Sequence, residues 1–287
     1  MTGTTDHPWM VESVAGQEML ALAAALFPIC RSITGDGIRQ TLQRIAELIP
    51  LQLQEVPSGT PVFDWTVPNE WNIRDAWVKD SRGRKVIDFK VSNLHILNYS
   101  TPVHCRLSLE ELRPHLYTLP DQPELIPYRT SYYRETWGFC LSQQALDSLE
   151  PGEYEVWIDA TLAPGHLTYG ELLLPGTSED EVLISCHCCH PSLANDNLSG
   201  MVLSTWLARA LLGRIHRLVT LGITNVLRDV WRQRHLAQFV QVGFDGAGKV
   251  NVAAAGGADK GYGGGDALGK GDDRADLEPA SAHKALP

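Results

Sequence analysis

The stretch VLISCHCCHPSLANDNLSG, residues 182–200, decides the fold class, because it joins an apolar run to a polar turn and then to a helix. The segment "EVLISCHCCH" is a compact β-run, and Pro191 ends it because proline cannot donate to a sheet ladder. Beyond "ANDN", the segment "SGMVLSTWLARALLG" places Met201, Val202, Trp206, Leu207, Ala210 and Leu211 where a helix can turn them toward a core. Ser199 or Asn197 is the expected N-cap and Gly213 the expected stop. A buried strand, a loop and a helix in that order are the local pattern of a mixed α/β sheet.

The same stretch concentrates chemistry. In an extended chain His187 and Cys189 share one face, while Cys186, Cys188 and His190 share the other. Pro191 redirects His190 at the strand tip, where α/β sheets bind their ligands. Asp196 then precedes the helix, and the polar turn holds it toward the same point. Two imidazoles and a carboxylate within ten residues make a partial site for Zn²⁺, which takes His nitrogen and Asp oxygen at about 2.0–2.2 Å. A closed structural Cys/His zinc site is disfavoured, since neighbours on one strand cannot wrap a tetrahedron and no second C-x-x-C or H-x-x-H occurs. Two other readings stay open. One is a buried Cys/His cluster that only packs. The other is a thiol nucleophile at Cys188 or Cys189, although a strand lacks the activating field of a helix N-terminus.

Upstream, residues 13–49 read as two helices, the second with Ile38, Leu42, Ile45, Leu48 and Ile49 on one stripe. Between them "CRSITGDG" forms a corner in which Asp36 is available as a cap. Arg31, Ser32 and Thr34 are polar groups for a cleft, or else parts of a capped helix corner. From Gln52 to about Asp159 the texture becomes short alternating runs broken by Pro and Gly, which predicts antiparallel strands and tight turns. Trp65, Trp71, Trp77, Trp137 and Trp157 fall in this region, where core and cross-strand packing is their ordinary role. The segment "YTLPDQPELIPYRTSYYRETWGF" has little periodicity and reads as a long ordered loop.

Composition narrows the function classes. The 287 residues are 44% hydrophobic and 20% charged, ordinary for a globular protein. A formal net charge of −10 argues against nucleic acid or an anionic membrane as partner. No apolar run approaches the roughly 18 residues that span a bilayer, and the start lacks the pattern of a signal peptide, so a cytoplasmic location is expected. Cys30, Cys105 and Cys140 stand alone and are expected as buried free thiols rather than a disulfide framework. Past Gly213 an Arg-rich segment gives way to Gly, Ala and Asp, a composition that predicts a disordered tail.

Taken with its surroundings, the motif resembles a known family. The order His-x-Cys-His-Pro-Ser and then "ANDNLSG" is similar to the di-zinc exopeptidases typified by bacterial leucyl aminopeptidases. The stretches "LFPICRSITGDGIRQTL", "VPSGTPVFDWTVPNEWNIRDAWV", "SNLHILNYSTPVH", "IPYRTSYYRETWGFCLS" and "GHLTYGELLLPG" bring it closer to an aminopeptidase-like family of unknown function, found in bacterial polysaccharide and secondary-metabolite gene clusters. The resemblance covers roughly residues 15–212. It implies a zinc-exopeptidase-like mixed sheet with helices, interrupted by a small β-rich inserted domain, with a winged helix after it. The expected divisions are 12–59 and 159–213 for the aminopeptidase-like domain, 60–158 for the insertion, and 214–287 for an aberrant or disordered tail.

Carried over residue by residue, the resemblance makes His187 a terminal metal ligand and Asp196 the ligand bridging two zinc ions. It makes Asn197 the host of a strained peptide bond. Cys189 stands where these enzymes place an Asp that orients the ligating His, and a thiol accepts more weakly there. His190 becomes an additional ligand or the orienting group. The aromatic loop covers the cleft, with Tyr128, Arg129, Tyr132 and Tyr133 as substrate contacts. The implied activity is zinc-dependent hydrolysis of peptide or amide bonds in a small substrate, with one or two zinc ions and room for an oligomer. After Leu212, however, no Glu occurs until Glu278, so the general base and later ligands are missing, a frameshift or truncation near Gly213 is expected, and this chain is expected to be incomplete and inactive as a hydrolase. The competing expectation is a non-catalytic protein that binds a small or sugar-linked ligand on a degenerate peptidase fold.

Overall fold

The computed structural model describes residues 13–132, 134–176, 181–212, 218–223, 238–244, 250–255 and 281–283. The Ala- and Leu-rich segment forms the helix Ser13–Leu26, and Pro28 bars its continuation. The second helix, Asp36–Ala46, buries Ile38, Thr41, Leu42 and Ile45. Leu48, expected on that stripe, lies beyond the helix end and is 37% exposed, while Ile49 is buried.

The cap of the second helix also differs from expectation. Gly35, at φ 95°, occupies the N-cap, and a Cβ there would meet the Trp71 carbonyl oxygen at 2.1 Å. Asp36 does not cap. Its own amide donates to Asn72 Oδ1 at 2.7 Å, so the capping oxygen comes from a strand of the next unit. The Asp36 carboxylate instead pairs with Arg39 in the first turn, where a negative charge suits the helix dipole.

Two sheets organise the rest. A six-stranded sheet runs in the order Gln52–Pro57, His166–Leu174, Leu218–Ile223, Glu181–Cys186, Gln238–Phe244, Val250–Ala255. The motif strand Glu181–Cys186 is parallel to both of its neighbours, and the outer pairings are antiparallel. The fold is therefore mixed α/β. A four-stranded antiparallel sheet, ordered Lys85–Asp88, Glu70–Lys79, Glu153–Ala163, Val103–Ser108, forms the β-rich unit. Along Glu153–Ala163, Tyr154, Val156, Ile158 and Ala160 are buried in alternation. Trp77 and Trp157 face each other across this sheet with ring centroids 5.5 Å apart, a packing role for both.

Two cores fill these layers. One lies against the six-stranded sheet and contains Leu26, Leu42, Ile45, Ile184, Cys186, Cys188 and Met201. The other fills the β-rich unit with Trp71, Val78, Phe139, Val156 and Ile158, and it also takes in Ile33 and Cys189. Adjacent thiols thus enter different cores. A small third cluster joins Leu94 and Tyr128 to Leu193 of the motif loop. The motif loop lies where these cores meet.

The alternation expected through residue 190 stops earlier. The ladder ends at Cys186, paired with Ile223, and residues 187–190 are irregular. Freed from the pleat, Cys188 and Cys189 are both buried, and His187 is exposed. Neither Ser199 nor Asn197 caps the following helix. Ser199 is its first residue, and Leu198 precedes it with no side-chain cap. Gly213, the expected stop, lies outside the described residues, as does most of the stretch 214–287 expected to be disordered. Within that stretch, Leu218–Ile223 and Gln238–Phe244 are the parallel neighbours of the motif strand, and Val250–Ala255 and Ser281–His283 are further strands.

Candidate functional site

The site begins at the carboxyl end of the central parallel strand, the end at which such sheets bind ligands. Past Cys186 the chain turns through His187–His190 into Pro191, then reaches the wide turn Ala194–Leu198. Within that turn Asp196 (φ −116°, ψ 91°) and Asn197 (φ −142°, ψ 36°) leave helical geometry, and the peptide bond between them is cis. The turn brings Asp196 back to the strand tip. His190 Nε2 and Asp196 Oδ2 stand 3.7 Å apart, with side chains 11% and 50% exposed. On the other side of the imidazole, Nδ1 lies 3.2 Å from Cys189 Sγ. With the thiol at Nδ1, Nε2 is the nitrogen turned to the carboxylate.

A buried corner holds this loop in place. Arg31 is fully buried, and its guanidinium donates to Leu26 O at 2.6 Å and to Pro191 O at 2.8 Å. Ser192 adds two links, donating from Oγ to Phe27 O at 2.7 Å and from its amide to Asn93 Oδ1 at 3.1 Å. Asn93 in turn donates to Pro28 O, and Asn98 donates to Arg31 O while accepting from Ser32 Oγ. Thr34 Oγ1 meets Tyr99 OH at 2.6 Å and accepts from the Trp71 amide at 3.0 Å. The polar corner is therefore a clamp between three segments rather than the lining of a cleft. Burial draws the Arg31 guanidinium down to about 10, partly offset by Cys188, Cys30 and Cys189.

The thiols are electrostatically quiet. Burial pushes Cys30 and Cys188 up to about 12 against the opposing pull of Arg31. Cys186 is raised well above its usual value, first by burial and then by Cys188, Cys189 and Asp196 nearby. Such groups are poor nucleophiles.

The expected substrate contacts divide. Tyr128 is 5% exposed and packs on His190, with ring centroids 4.9 Å apart. Tyr132 is half-buried, and its hydroxyl meets that of Tyr128 at 2.9 Å. Arg129 is half-buried, with a buried Nε that has no hydrogen-bond partner. Tyr133 lies outside the described residues. Asn93, Asn98 and Tyr99 were not singled out by the sequence, because irregular loop segments carry no periodicity to mark them.

The family model for a domain of unknown function, DUF4910, matches residues 20–241. The chain belongs to the DUF4910 family. This DUF4910 chain is 55% identical over 199 residues to a Clostridium acetobutylicum protein provisionally named as a polysaccharide biosynthesis protein with an aminopeptidase-like domain, covering 69% of this chain and 46% of that protein. It is also similar to a crystal structure from the same organism, provisionally described as a peptidase, at 51% identity and a TM-score of 0.73. That match covers 74% of this chain and 51% of the other. The DUF4910 chain thus spans about half the length of the relatives it matches. A Bacillus subtilis zinc aminopeptidase aligns at 11% identity and a TM-score of 0.47 over 73% of this chain and 60% of its own, too slight a likeness to argue from. The fold of the DUF4910 chain is aminopeptidase-like, and the family match continues past Gly213.

Whether the motif suits zinc is answered by its donors. Two donors at about 2.0–2.2 Å from one ion lie roughly 3.4 Å apart at a tetrahedral angle, close to the observed separation of His190 and Asp196. Those two fit. Among the described residues, however, no group of three or more His, Cys, Asp or Glu side chains is placed to hold an ion.

Proposed function

We propose that this DUF4910 protein is a zinc-dependent, aminopeptidase-like hydrolase of peptide or amide bonds in a small substrate. The observation that carries the reading is the 3.7 Å approach of His190 Nε2 to Asp196 Oδ2 at the end of the central parallel strand. His190 and Asp196 would hold the ion, and His187, exposed just past the same strand, remains only a proposed terminal ligand, since among the described residues it is not grouped with them. Zinc held there supplies Lewis acidity to an amide carbonyl. Cys189 keeps the His190 ring turned with Nε2 outward. Asn197 follows Asp196 through the cis bond and sets the exit of the turn. Arg129 and Tyr132 border the same loop region and are the substrate contacts in this reading.

A second reading has its own support. With two donors together and no Glu between Leu212 and Glu278, the motif also suits a non-catalytic protein that binds a small or sugar-linked ligand. Metal analysis of the purified protein, together with hydrolysis of aminoacyl-anilides, separates the two. Stoichiometric zinc with chelator-sensitive turnover supports the hydrolase. Protein without zinc and without turnover favours the binding reading. Turnover that ignores chelators and is lost to alkylation would return the thiol to the active role.

A further inference from the structure

Tyr128, expected as a substrate contact, packs its ring against His190 at 4.9 Å and an interplanar angle of 60°. It belongs to a run of aromatic groups that begins deep in the β-rich unit. Trp71 donates its indole N–H to Ser100 O at 2.8 Å and stacks on Tyr99 at 5.7 Å. Tyr99 donates to Asn69 O at 2.9 Å and stands edge-on to Tyr132 at 5.6 Å. Tyr132 then meets Tyr128 hydroxyl to hydroxyl. The run ends on the imidazole at the tip of the other sheet.

An imidazole rotates easily about its outer torsion unless something grips it. The partner at its Nδ1 is the Cys189 thiol, a weak hydrogen-bonding group and a looser grip than a carboxylate. The Tyr128 ring, packed against the imidazole at a tilt of 60°, adds a further constraint on its rotation. We infer that Tyr128 is a positioning residue for His190, so that the β-rich unit sets the geometry of the motif. The consequence for zinc rests on the function proposed above, whereas the contact does not.

The test uses the full chain, isotope-labelled, with the His190 ring signals assigned through His190→Gln and Zn²⁺ as the titrant. Tyr128→Leu moves the His190 ring-proton signals and weakens zinc uptake by about 10–100-fold. Tyr128→Phe keeps the ring and restores both. The Trp71 indole signal stays in place throughout and reports an intact β-rich core. If His190 signals move but neither parent nor variant takes up zinc, the positioning role stands and the metal reading fails. If the His190 signals do not move in Tyr128→Leu, the inference is overturned. It is also overturned if Ile87→Val, a core change on the strand Lys85–Asp88, weakens zinc uptake by the same factor. Should Tyr128→Leu not fold, Tyr128→Met takes its place, and unchanged zinc uptake there overturns the inference equally.

Discussion

At the scale of single residues, burial decides what each reactive group can do. Burial raises the thiols of Cys140, Cys186 and Cys188, which are fully buried, and also those of Cys30 and Cys105, which are only partly buried. Alkylation at pH 8 is therefore expected at Cys105 first, with Cys140, Cys186 and Cys188 reacting only on unfolding, as read by mass spectrometry of timed samples. Arg31 is the most committed polar residue. Arg31→Met strips the donors from two buried carbonyls and is expected to cost about 3 kcal/mol or more in chemical denaturation. Arg31→Lys, which keeps the charge without the fork, should cost less. The sequence named Arg31, Ser32 and Thr34 as polar groups of the corner but left open which way they face. Leu26 and Trp71 apart, their partners lie 65 or more residues away, in loops that no local pattern pairs.

At the scale of elements, the units are joined by exchanges of polar groups. Asn72 caps the helix Asp36–Ala46 from outside it, so Asn72→Ala should lower stability by about 1 kcal/mol, measured by thermal unfolding. Arg39 on that helix grips Glu70 through two hydrogen bonds of 2.7 and 2.6 Å, and Glu70 also accepts from the His166 amide at 2.9 Å. Those bonds, Arg39 foremost, hold the Glu70 carboxyl down at about 2 from an ordinary 4.5. A depressed carboxyl stabilises the fold above its unfolded value. That contribution is therefore complete above pH 4.5 and lost as pH falls toward 2. Glu70→Gln should cost about 1–3 kcal/mol at pH 7, a gap that narrows through this window in denaturation curves taken at successive pH values. The helices and the β-texture were legible because their periods, 3.6 and 2, are local. The cap was not, since Asn72 reaches the helix only after the chain has folded back.

At the scale of the whole molecule, the two units are not separable bodies. The core of the β-rich unit takes in Ile33 and Cys189 from outside it, and its edge loops hold Asn93 and Asn98 against the corner at Arg31. A fragment of residues 60–163 alone should lack a sharp unfolding transition and show poorly dispersed amide signals, in contrast to the full chain. The mixed sheet and the strand, turn and helix of the motif could be read in sequence, because one contiguous stretch encodes them. The seam could not, since it is assembled from segments that composition treats separately. The Arg31–Pro191 bond joins residues 160 positions apart. During synthesis the N-terminal corner leaves the ribosome long before its acceptor is made. A guanidinium without acceptors keeps its water, so the corner stays hydrated and unlocked until the motif loop arrives. The corner therefore closes only once the motif loop has been made, and a nascent chain remains dependent on residue 191 for the setting of residue 31.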